Sequence, residues 1–289
     1  MKHVVSVSLG SSTRDHRVEI ELLGEKYLIE RIGMDGDLKK LKETIGQYDG
    51  KVDAMGLGGI TMLFPVGKRT YFLRSAKPLK MVLEKQAILH LDQQGIIPLR
   101  GKKALITVAF DRYSMAQAFM ELGCDLVCGD LVFSFGFPFL LRGFNSFRRV
   151  VKILAPVVCQ LPFAMLYPTG EREEYVENPE KYARYYQEVE IIAGDFLYIQ
   201  RYMPDNLKGK IIITNTVTED NVRELKKRGV ETLVTTTPNF GGRSFGNNVI
   251  QAIIIAAIGK KPSEITGEDY MEMIKALGFT PRVERLQEN

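Results

Sequence analysis

Short apolar runs alternate with segments of helical spacing through the second half of the chain. Five of these runs predict buried strands, over residues 104–109, 125–129, 190–193, 210–214 and 232–237. Helical patterns over residues 113–122 and 219–228 lie between them. Strands that alternate with helices are typical of a parallel sheet covered on both faces, so we expect these five strands to form one such sheet.

The first part of the chain has a different pattern, with hairpins in place of this alternation. Strand patterns over residues 18–23 and 27–32 flank Gly24, which predicts a β-hairpin. We therefore predict an α/β protein built from two domains. Residues 1–98 would form a smaller N-terminal α+β domain, and residues 99–289 a Rossmann-like domain, a parallel sheet with helices on both faces.

One stretch combines a strand, a glycine-rich loop and the start of a helix. Gly241 and Gly242 follow the last predicted strand, and an almost wholly apolar helix is predicted over residues 249–258. A helix N-terminus offers free backbone N–H groups to an anion, and Arg243 and Ser244 would add a guanidinium and a hydroxyl group. We predict a phosphate or carboxylate site here, with Arg243 in a solvated cleft. A tight turn with an exposed Arg243 is the alternative.

Polar side chains follow the predicted parallel strands at the points where the strands end. These residues are Arg112, Asp130, Asp195, Asn215, Thr236 and Thr237. Because the carboxyl ends of parallel strands meet at one edge of a sheet, we expect them to share a crevice. Asp130 would bind the ribose and Arg112 the phosphate of NAD or NADP, and Asp195 would transfer a proton.

The other strand-end residues are expected to bind substrate, and they are Asn215, Thr236 and Thr237. The G-x-G-x-x-G loop of dinucleotide-binding folds is absent from the turn before Arg112. An ordinary βαβ turn with Asp111 as helix cap is therefore the alternative for this turn.

A polar turn with many functional groups follows the first predicted strand. Residues 10–17 read Gly-Ser-Ser-Thr-Arg-Asp-His-Arg, so Asp15 and His16 are candidate proton-transfer groups and Arg14 a candidate clamp for a substrate anion. A solvated approach to the hairpin is the alternative, because neighbours on a strand point to opposite faces. Residues 56–59, Gly-Leu-Gly-Gly, give a weak phosphate-loop signal, for which a simple turn is the alternative.

Composition and charge narrow the classes of partner. The chain has 289 residues, is 45% hydrophobic and 26% charged and carries a net charge of +4, values typical of a globular protein. No basic run exceeds three residues, so we expect a small anionic substrate and no nucleic acid. The three cysteines indicate buried thiols in a reducing compartment, and without a signal-peptide pattern we expect a cytoplasmic protein. The three histidines are scattered, which predicts no metal site.

Residues 131–169 are unusually aromatic. Their phenylalanines are Phe133, Phe135, Phe137, Phe139, Phe144, Phe147 and Phe163. Prolines interrupt the segment, so we expect no transmembrane segment. Buried core or the interface of a homo-oligomer is the favoured interpretation, and an apolar substrate channel or a membrane-surface contact is the alternative.

Four motifs lie in residues 8–17, residues 52–59, residues 193–196 and residues 235–246. Together they resemble a bacterial group of quinate/shikimate 5-dehydrogenase-like proteins, and the resemblance spans most of the chain. It implies an NAD(P)-dependent oxidoreductase acting on a small cyclic hydroxy acid. True shikimate dehydrogenases carry a G-x-G-G cofactor loop and an N-x-T-x-P-x-K segment with a catalytic lysine. This chain has neither motif, so we carry over no catalytic residue.

Two other classes stay open at this point. The first is an enzyme that handles phosphoryl groups or sugar nucleotides with the same anion-binding loops. The second is a non-enzymatic binding protein that uses an apolar surface within residues 131–169.

Overall fold

The chain folds into strands and helices that alternate along most of its length. The structure, a computed structural model, describes residues 1–58, 63–66, 69–72, 82–158, 179–260 and 264–287. Its strands are β1 (Lys2–Ser8), β2 (His16–Leu22), β3 (Glu25–Gly33), β4 (Ala54–Gly58), β5 (Leu63–Val66), β6 (Arg69–Phe72), β7 (Lys103–Ile106), β8 (Asp125–Cys128), β9 (Leu141–Arg142), β10 (Ile191–Ala193), β11 (Ile211–Thr214), β12 (Thr232–Thr235), β13 (Asn239–Phe240), β14 (Arg243–Ser244) and β15 (Arg282–Arg285). Its helices are α1 (Leu38–Tyr48), α2 (Val82–Gln93), α3 (Tyr113–Glu121), α4 (Asp130–Phe133), α5 (Phe144–Val158), α6 (Pro179–Gln187), α7 (Phe196–Tyr202), α8 (Glu219–Lys227), α9 (Asn247–Ile258) and α10 (Gly267–Leu277).

The larger sheet has seven strands in the order β9-β8-β7-β10-β11-β12-β15. The five central strands pair in parallel, which confirms the parallel sheet predicted from the apolar runs. The edge strands β9 and β15 pair antiparallel. The sheet grows from β7 to β8 in one direction and to β10 in the other. A reversal of this kind is a switch point, and it leaves a crevice at the carboxyl ends of the two neighbouring strands.

Helices cover both faces of this sheet, as predicted. Ile106 of β7 packs with Phe119 of α3 and Phe147 of α5 on one face. Leu105, the neighbour of Ile106, packs with Tyr186 of α6 on the other face. Burial on both faces explains why these strands are continuous apolar runs and not alternating patterns. Each large apolar side chain buried in this way contributes roughly 1.5–3 kcal/mol to folding.

A smaller N-terminal sheet has four strands in the order β2-β3-β1-β4. β2 and β3 form the predicted hairpin, which turns at Leu23 and Gly24, and β1 pairs in parallel with β3 and β4. α1 covers one face of this sheet through Leu41. The Asp37 side chain caps α1 by accepting hydrogen bonds from the Lys39 and Lys40 N–H groups.

The other face of the N-terminal sheet is covered by a helix from the far end of the chain. Val249 and Ile253 of α9 pack with Val4 and Ile29 of the sheet. In the opposite direction α2, predicted as part of the N-terminal domain, packs Ile88 into the core of the larger sheet. The boundary near residue 98 stays a prediction, and the packing crosses it in both directions.

The glycine-rich residues 56–59 do not form a phosphate loop where the structure describes them. Gly56 and Gly58 belong to β4. A Cβ atom at Gly56 would lie 2.5 Å from the Asn248 carbonyl oxygen of α9, so the glycine lets the helix approach the strand closely. Gly59 lies outside the described residues.

The aromatic segment is divided between core and surface. Phe133, Phe144 and Phe147 are buried, in agreement with the core interpretation. Three others are exposed, and they are Phe135, Phe137 and Phe139. Residues 159–169 lie outside the described residues, so a homo-oligomer contact through this segment stays a prediction. Within the described ranges, no helix has the length and apolar character needed to cross a bilayer.

Candidate active site

The crevice at the switch point is framed by the turns that follow β7 and β10. Residues 107–112 connect β7 to α3, and Arg112, not Asp111, is the N-cap residue of α3. Asp195 follows β10 and caps α7 by accepting a hydrogen bond from Leu197 N at 3.0 Å. Since β7 and β10 are neighbours, these two turns bring Asp111, Arg112 and Asp195 together.

Arg112 lies buried among carboxylates at the centre of this crevice. Its Nη2 donates a hydrogen bond to Asp195 Oδ2, and its Nη1 lies 3.2 Å from Asp111 Oδ2. Its Nε lies 3.7 Å from Glu84 Oε1. These carboxylates compensate the desolvation of the guanidinium, so Arg112, predicted to bind phosphate, is already engaged within the protein. In the described part of the chain, no three His, Cys, Asp or Glu side chains are arranged to hold a metal ion.

Glu84 of α2 connects three helices at this site. It is fully buried, and its Oε2 accepts a hydrogen bond from Ser114 Oγ of α3 at 2.7 Å. Its Oε1 accepts one from Asn247 Nδ2, at the start of α9, at 2.8 Å. Glu84 was not among the site residues predicted from sequence. The available signal was a carboxylate in a stretch of helical spacing, on the side that packs into the core.

The carboxyl group of Asp111 has a strongly perturbed pKa. Burial, opposed by the charge of Arg112 and assisted by the charge of Asp195, raises the pKa of Asp111 to about 7. Asp111 Oδ2 is buried and has no hydrogen-bond partner among the described residues. A buried acid that titrates near neutral pH beside a cleft is suited to proton transfer.

Asp130 holds the turn that carries Asp111. Its Oδ1 accepts a hydrogen bond from Phe110 N at 2.7 Å, and its Oδ2 accepts one from Ala109 N at 3.2 Å. Burial raises the pKa of Asp130 to about 6, although these backbone N–H groups oppose the shift. Both carboxylate oxygens therefore position the 107–112 turn. The ribose-binding role of Asp130 stays a prediction.

An apolar cleft opens beside Asp111. The space between its walls, with its open mouth and the adjoining solvent included, is about 600 Å³. Its apolar wall includes Phe147 and Leu154 of α5, and Tyr198 and Asp130 add polar groups near Asp111. The cleft thus offers a small ligand mostly apolar contacts and two titratable acids, of which Asp130 is held by backbone N–H groups.

The predicted substrate-binding residues Asn215, Thr236 and Thr237 lie buried at the ends of β11 and β12, on the same edge of the sheet. Thr237 Oγ1 donates a hydrogen bond to the Asn215 carbonyl oxygen at 2.6 Å. Asn215 Oδ1 and Thr236 Oγ1 are buried and have no partner among the described residues. Because buried polar atoms without partners are rare, these two atoms are candidate ligand contacts.

The glycine loop predicted as an anion site forms a β-hairpin. β13 and β14 pair antiparallel, and Gly241 and Gly242 form the turn with φ values of +59° and +84°. Two residues with positive φ are what a tight hairpin turn of this kind requires. Arg243 and Ser244 are therefore strand residues, and α9 begins at Asn247. Placing Arg243 in a solvated cleft was wrong, since its exposed fraction is 4%.

The other predicted site residues lie beside this hairpin. The Arg14 carbonyl oxygen accepts a hydrogen bond from Arg243 Nη1. The His16 ring packs against Phe245 at 5.5 Å between centroids, and burial followed by the charge of Arg243 lowers the pKa of His16.

Asp15 holds the end of β3. Its Oδ1 accepts hydrogen bonds from Gly33 N at 2.6 Å and from Arg31 Nη1 at 2.8 Å. The predicted catalytic residues therefore fall into two groups, Asp195 in the crevice and Asp15 with His16 at the N-terminal sheet.

The fold and the crevice define an α/β protein with a candidate ligand site at the switch point of a parallel sheet. The chain belongs to the family described as Domain of unknown function (DUF8754), whose model matches residues 78–286. A second model, Domain of unknown function (DUF8753), matches residues 3–90. No curated protein matches the chain significantly.

Two solved structures illustrate the structural comparison. One is a galactofuranose binding protein, with 9% identity, a TM-score of 0.34 and coverage of 96% of this chain and 99% of that one. The other comes from Mycobacterium smegmatis, in complex with β-D-fucofuranose, with 8% identity, a TM-score of 0.32 and coverage of 99% of both chains.

Proposed function

We propose that the protein is an enzyme that transfers a proton to or from a small ligand in the switch-point crevice, with Asp111 as the general acid or base. The observation that carries this proposal is the buried Asp111 carboxyl beside an apolar cleft, with its pKa raised to about 7. A group with a pKa near the working pH combines a useful population of each protonation state with a useful driving force for transfer.

The neighbours of Asp111 support this role. Arg112 lies 3.2 Å from its Oδ2 and would stabilise the carboxylate whenever Asp111 has given up its proton. Asp195 and Glu84 hold the Arg112 guanidinium, and Asp130 holds the turn, so the acid would keep one position through the proton transfer.

The charges of the crevice indicate the class of ligand. Three carboxylates, Glu84, Asp111 and Asp195, surround one guanidinium, that of Arg112, and the charge of Asp130 also acts on Asp111. A second anion at this point would meet repulsion from at least two of these carboxylates. The crevice therefore favours a small, uncharged and largely apolar ligand with one oxygen function, in place of the anionic substrate expected from the sequence.

Binding and turnover can be tested separately. We would screen uncharged cyclic hydroxy ketones by calorimetry, with the corresponding hydroxy acids as the anionic comparison, and then follow hydrogen exchange in D₂O by NMR at the carbon next to the ketone carbonyl. Asp111→Asn should keep ligand binding and lose exchange by roughly 10²–10⁴-fold, the range for general acid–base groups. Exchange by the unmodified protein should change with pH near 7. An Asp111→Asn variant that exchanges at the unmodified rate would refute the proposal.

An NAD(P)-dependent oxidoreductase acting on a small hydroxy acid is the second candidate. The strand order favours it, because a sheet that grows both ways from β7 is the arrangement of Rossmann-like folds, and Asp130 follows the second strand. The turn after β7 does not fit a pyrophosphate, since it lacks the glycines and its Arg112 is held by carboxylates. Calorimetry with NAD and NADP decides this point, and a protein that binds neither is not such an oxidoreductase.

A further inference from the structure

Arg243 is a buried cation, and no carboxylate of the described residues forms an ion pair with it. Its exposed fraction is 4%, and its hydrogen bond goes to a neutral acceptor, the Arg14 carbonyl oxygen. Its guanidinium also lies 5.6 Å from the centroid of the Phe245 ring, and its buried Nε has no hydrogen-bond partner among the described residues. Buried charges in proteins are normally paired, so the surroundings of Arg243 favour a carboxylate or another anion as its ligand.

The neighbouring charges increase the need for an anion. Burial lowers the pKa of Arg243 to about 9, and the charges of Arg14 and then of Arg31 add to this effect, whereas Asp15 opposes it. Asp15 is already engaged, because its Oδ1 accepts hydrogen bonds from Arg31 Nη1 and Gly33 N. We call Arg14, Arg31 and Arg243 the arginine cluster. Around Arg243, two like charges therefore act against one opposite charge.

A second polar side chain lies beside the arginine cluster. His16 Nε2 is buried and is assigned no hydrogen bond with a described residue, although the Phe240 backbone lies near the ring and partly opposes the lowering of its pKa. The ring is next to the Gly241 turn and packs on Phe245, whose ring also faces the Arg243 guanidinium. Two further carboxylates are nearby: Asp35 accepts a hydrogen bond from Ser12 N at 2.6 Å, and Glu219, beside Gly242, lies 3.9 Å from Arg223.

We infer that the arginine cluster is an oxyanion-binding site, in which a carboxylate or phosphate group bridges the N-terminal sheet and the β13–β14 hairpin. Arg31 comes from β3, His16 from β2 and Arg243 from β14, so one bound anion would contact both parts of the chain. The planar guanidinium of Arg243 matches two oxygens of either group. The site does not involve Asp111, so it can be tested independently of the proposed proton transfer.

The test compares thermal unfolding of the full chain in inorganic phosphate, in acetate and in sodium chloride at matched ionic strength. Phosphate or acetate should raise the melting temperature of the unmodified protein in a saturable way, because a ligand bound to the folded state stabilises it. Arg243→Met should abolish this response, and without anion it should melt no lower than the unmodified protein, because the substitution removes a repelled charge. Arg17→Met is the matched control, since Arg17 lies on β2, is exposed and pairs with Glu30.

A second variant covers the case in which Arg243→Met does not fold. Arg243→Lys keeps the charge but loses the planar fork, so its anion affinity should fall between about tenfold and a hundredfold. A response to phosphate alone would identify a phosphorylated ligand, and a response to acetate alone a carboxylate ligand. The inference would be overturned if the unmodified protein responded to neither anion. It would also be overturned if both Arg243 variants responded as strongly as the unmodified protein. Asp111→Asn should keep the response in full, which separates this outcome from failure of the proposed enzyme.

Discussion

Among single residues, Asp111 links the proposed chemistry to the stability of the protein. Burial raises its pKa from 3.8 to about 7 in the folded state. Between these two values the folded protein holds a proton that the unfolded chain has lost. The free energy of unfolding therefore falls as the pH rises through this window. Above pH 7 the full free-energy cost of ionising the buried Asp111 carboxyl is present.

We predict that Asp111→Asn stabilises the protein above pH 7. The amide cannot ionise, so the variant avoids the cost of a buried carboxylate, up to about 4 kcal/mol for a shift of this size. Urea unfolding at pH 5 and pH 8 measures the effect, which should be less than half as large at pH 5, because only part of the window between the two pKa values lies below that pH. Asp205→Asn is the control, because the Asp205 side chain is 91% exposed. A variant that gains more stability at pH 5 than at pH 8 would contradict the assignment of a raised pKa.

Removal of Arg112 should have the opposite effect. Arg112→Met leaves Asp195 and Asp111 buried without their cation, and loss of one partner from a buried ion pair costs roughly 3–5 kcal/mol. The loss of stability should grow as the pH rises. At low pH the buried carboxyl groups keep their protons and stay neutral, whereas at high pH they must ionise without a cation beside them. Melting temperatures between pH 5 and pH 8 measure it. Equal losses at both ends of this range would show that packing, and not charge, explains the effect.

At the scale of elements, the contact between β4 and α9 depends on a glycine. A Cβ atom at Gly56 would meet the Asn248 carbonyl oxygen at 2.5 Å, so Gly56→Ala forces strand and helix apart. We expect a loss of about 1–3 kcal/mol, the usual cost of overpacking. Gly46→Ala is the matched control, since Gly46 lies within α1 with open space around it, and it should gain about 0.5–1 kcal/mol. The midpoints of urea unfolding of both variants give the comparison.

The elements also show which parts of the structure could be predicted from sequence. The central strands could be predicted because a strand buried on both faces requires apolar side chains at successive positions, which gives a continuous apolar run in the sequence. Strand β15, Arg-Val-Glu-Arg, has no such run. It forms a strand because it pairs antiparallel with the edge of β12. The crevice residues Asp130 and Asp195 were found because parallel strands end at one edge. The burial of Arg243 was not, because it depends on a contact with Arg14, 229 residues away in sequence.

For the whole molecule, the crossed packing predicts a single cooperative unfolding transition. α9 covers the N-terminal sheet and α2 covers α3, so neither part has a complete core alone. Residues 1–98 expressed alone should therefore lack stable structure, because Val4, Tyr27 and Ile29 would lose their apolar cover. Circular dichroism of this fragment, and of an equimolar mixture with residues 99–289, tests the prediction. A fragment of residues 1–98 that unfolds cooperatively by itself would show that α9 is dispensable.

The position of α9 also has a consequence for synthesis of the protein. A ribosome makes about 5–20 residues per second, so roughly 10–40 s separate the completion of β4 from the appearance of α9. During that interval the apolar residues of the first sheet have no permanent cover. Contacts between such distant parts of a chain also form slowly. The nascent chain therefore passes through a period in which the exposed apolar residues of its N-terminal part can bind chaperones and can start aggregation.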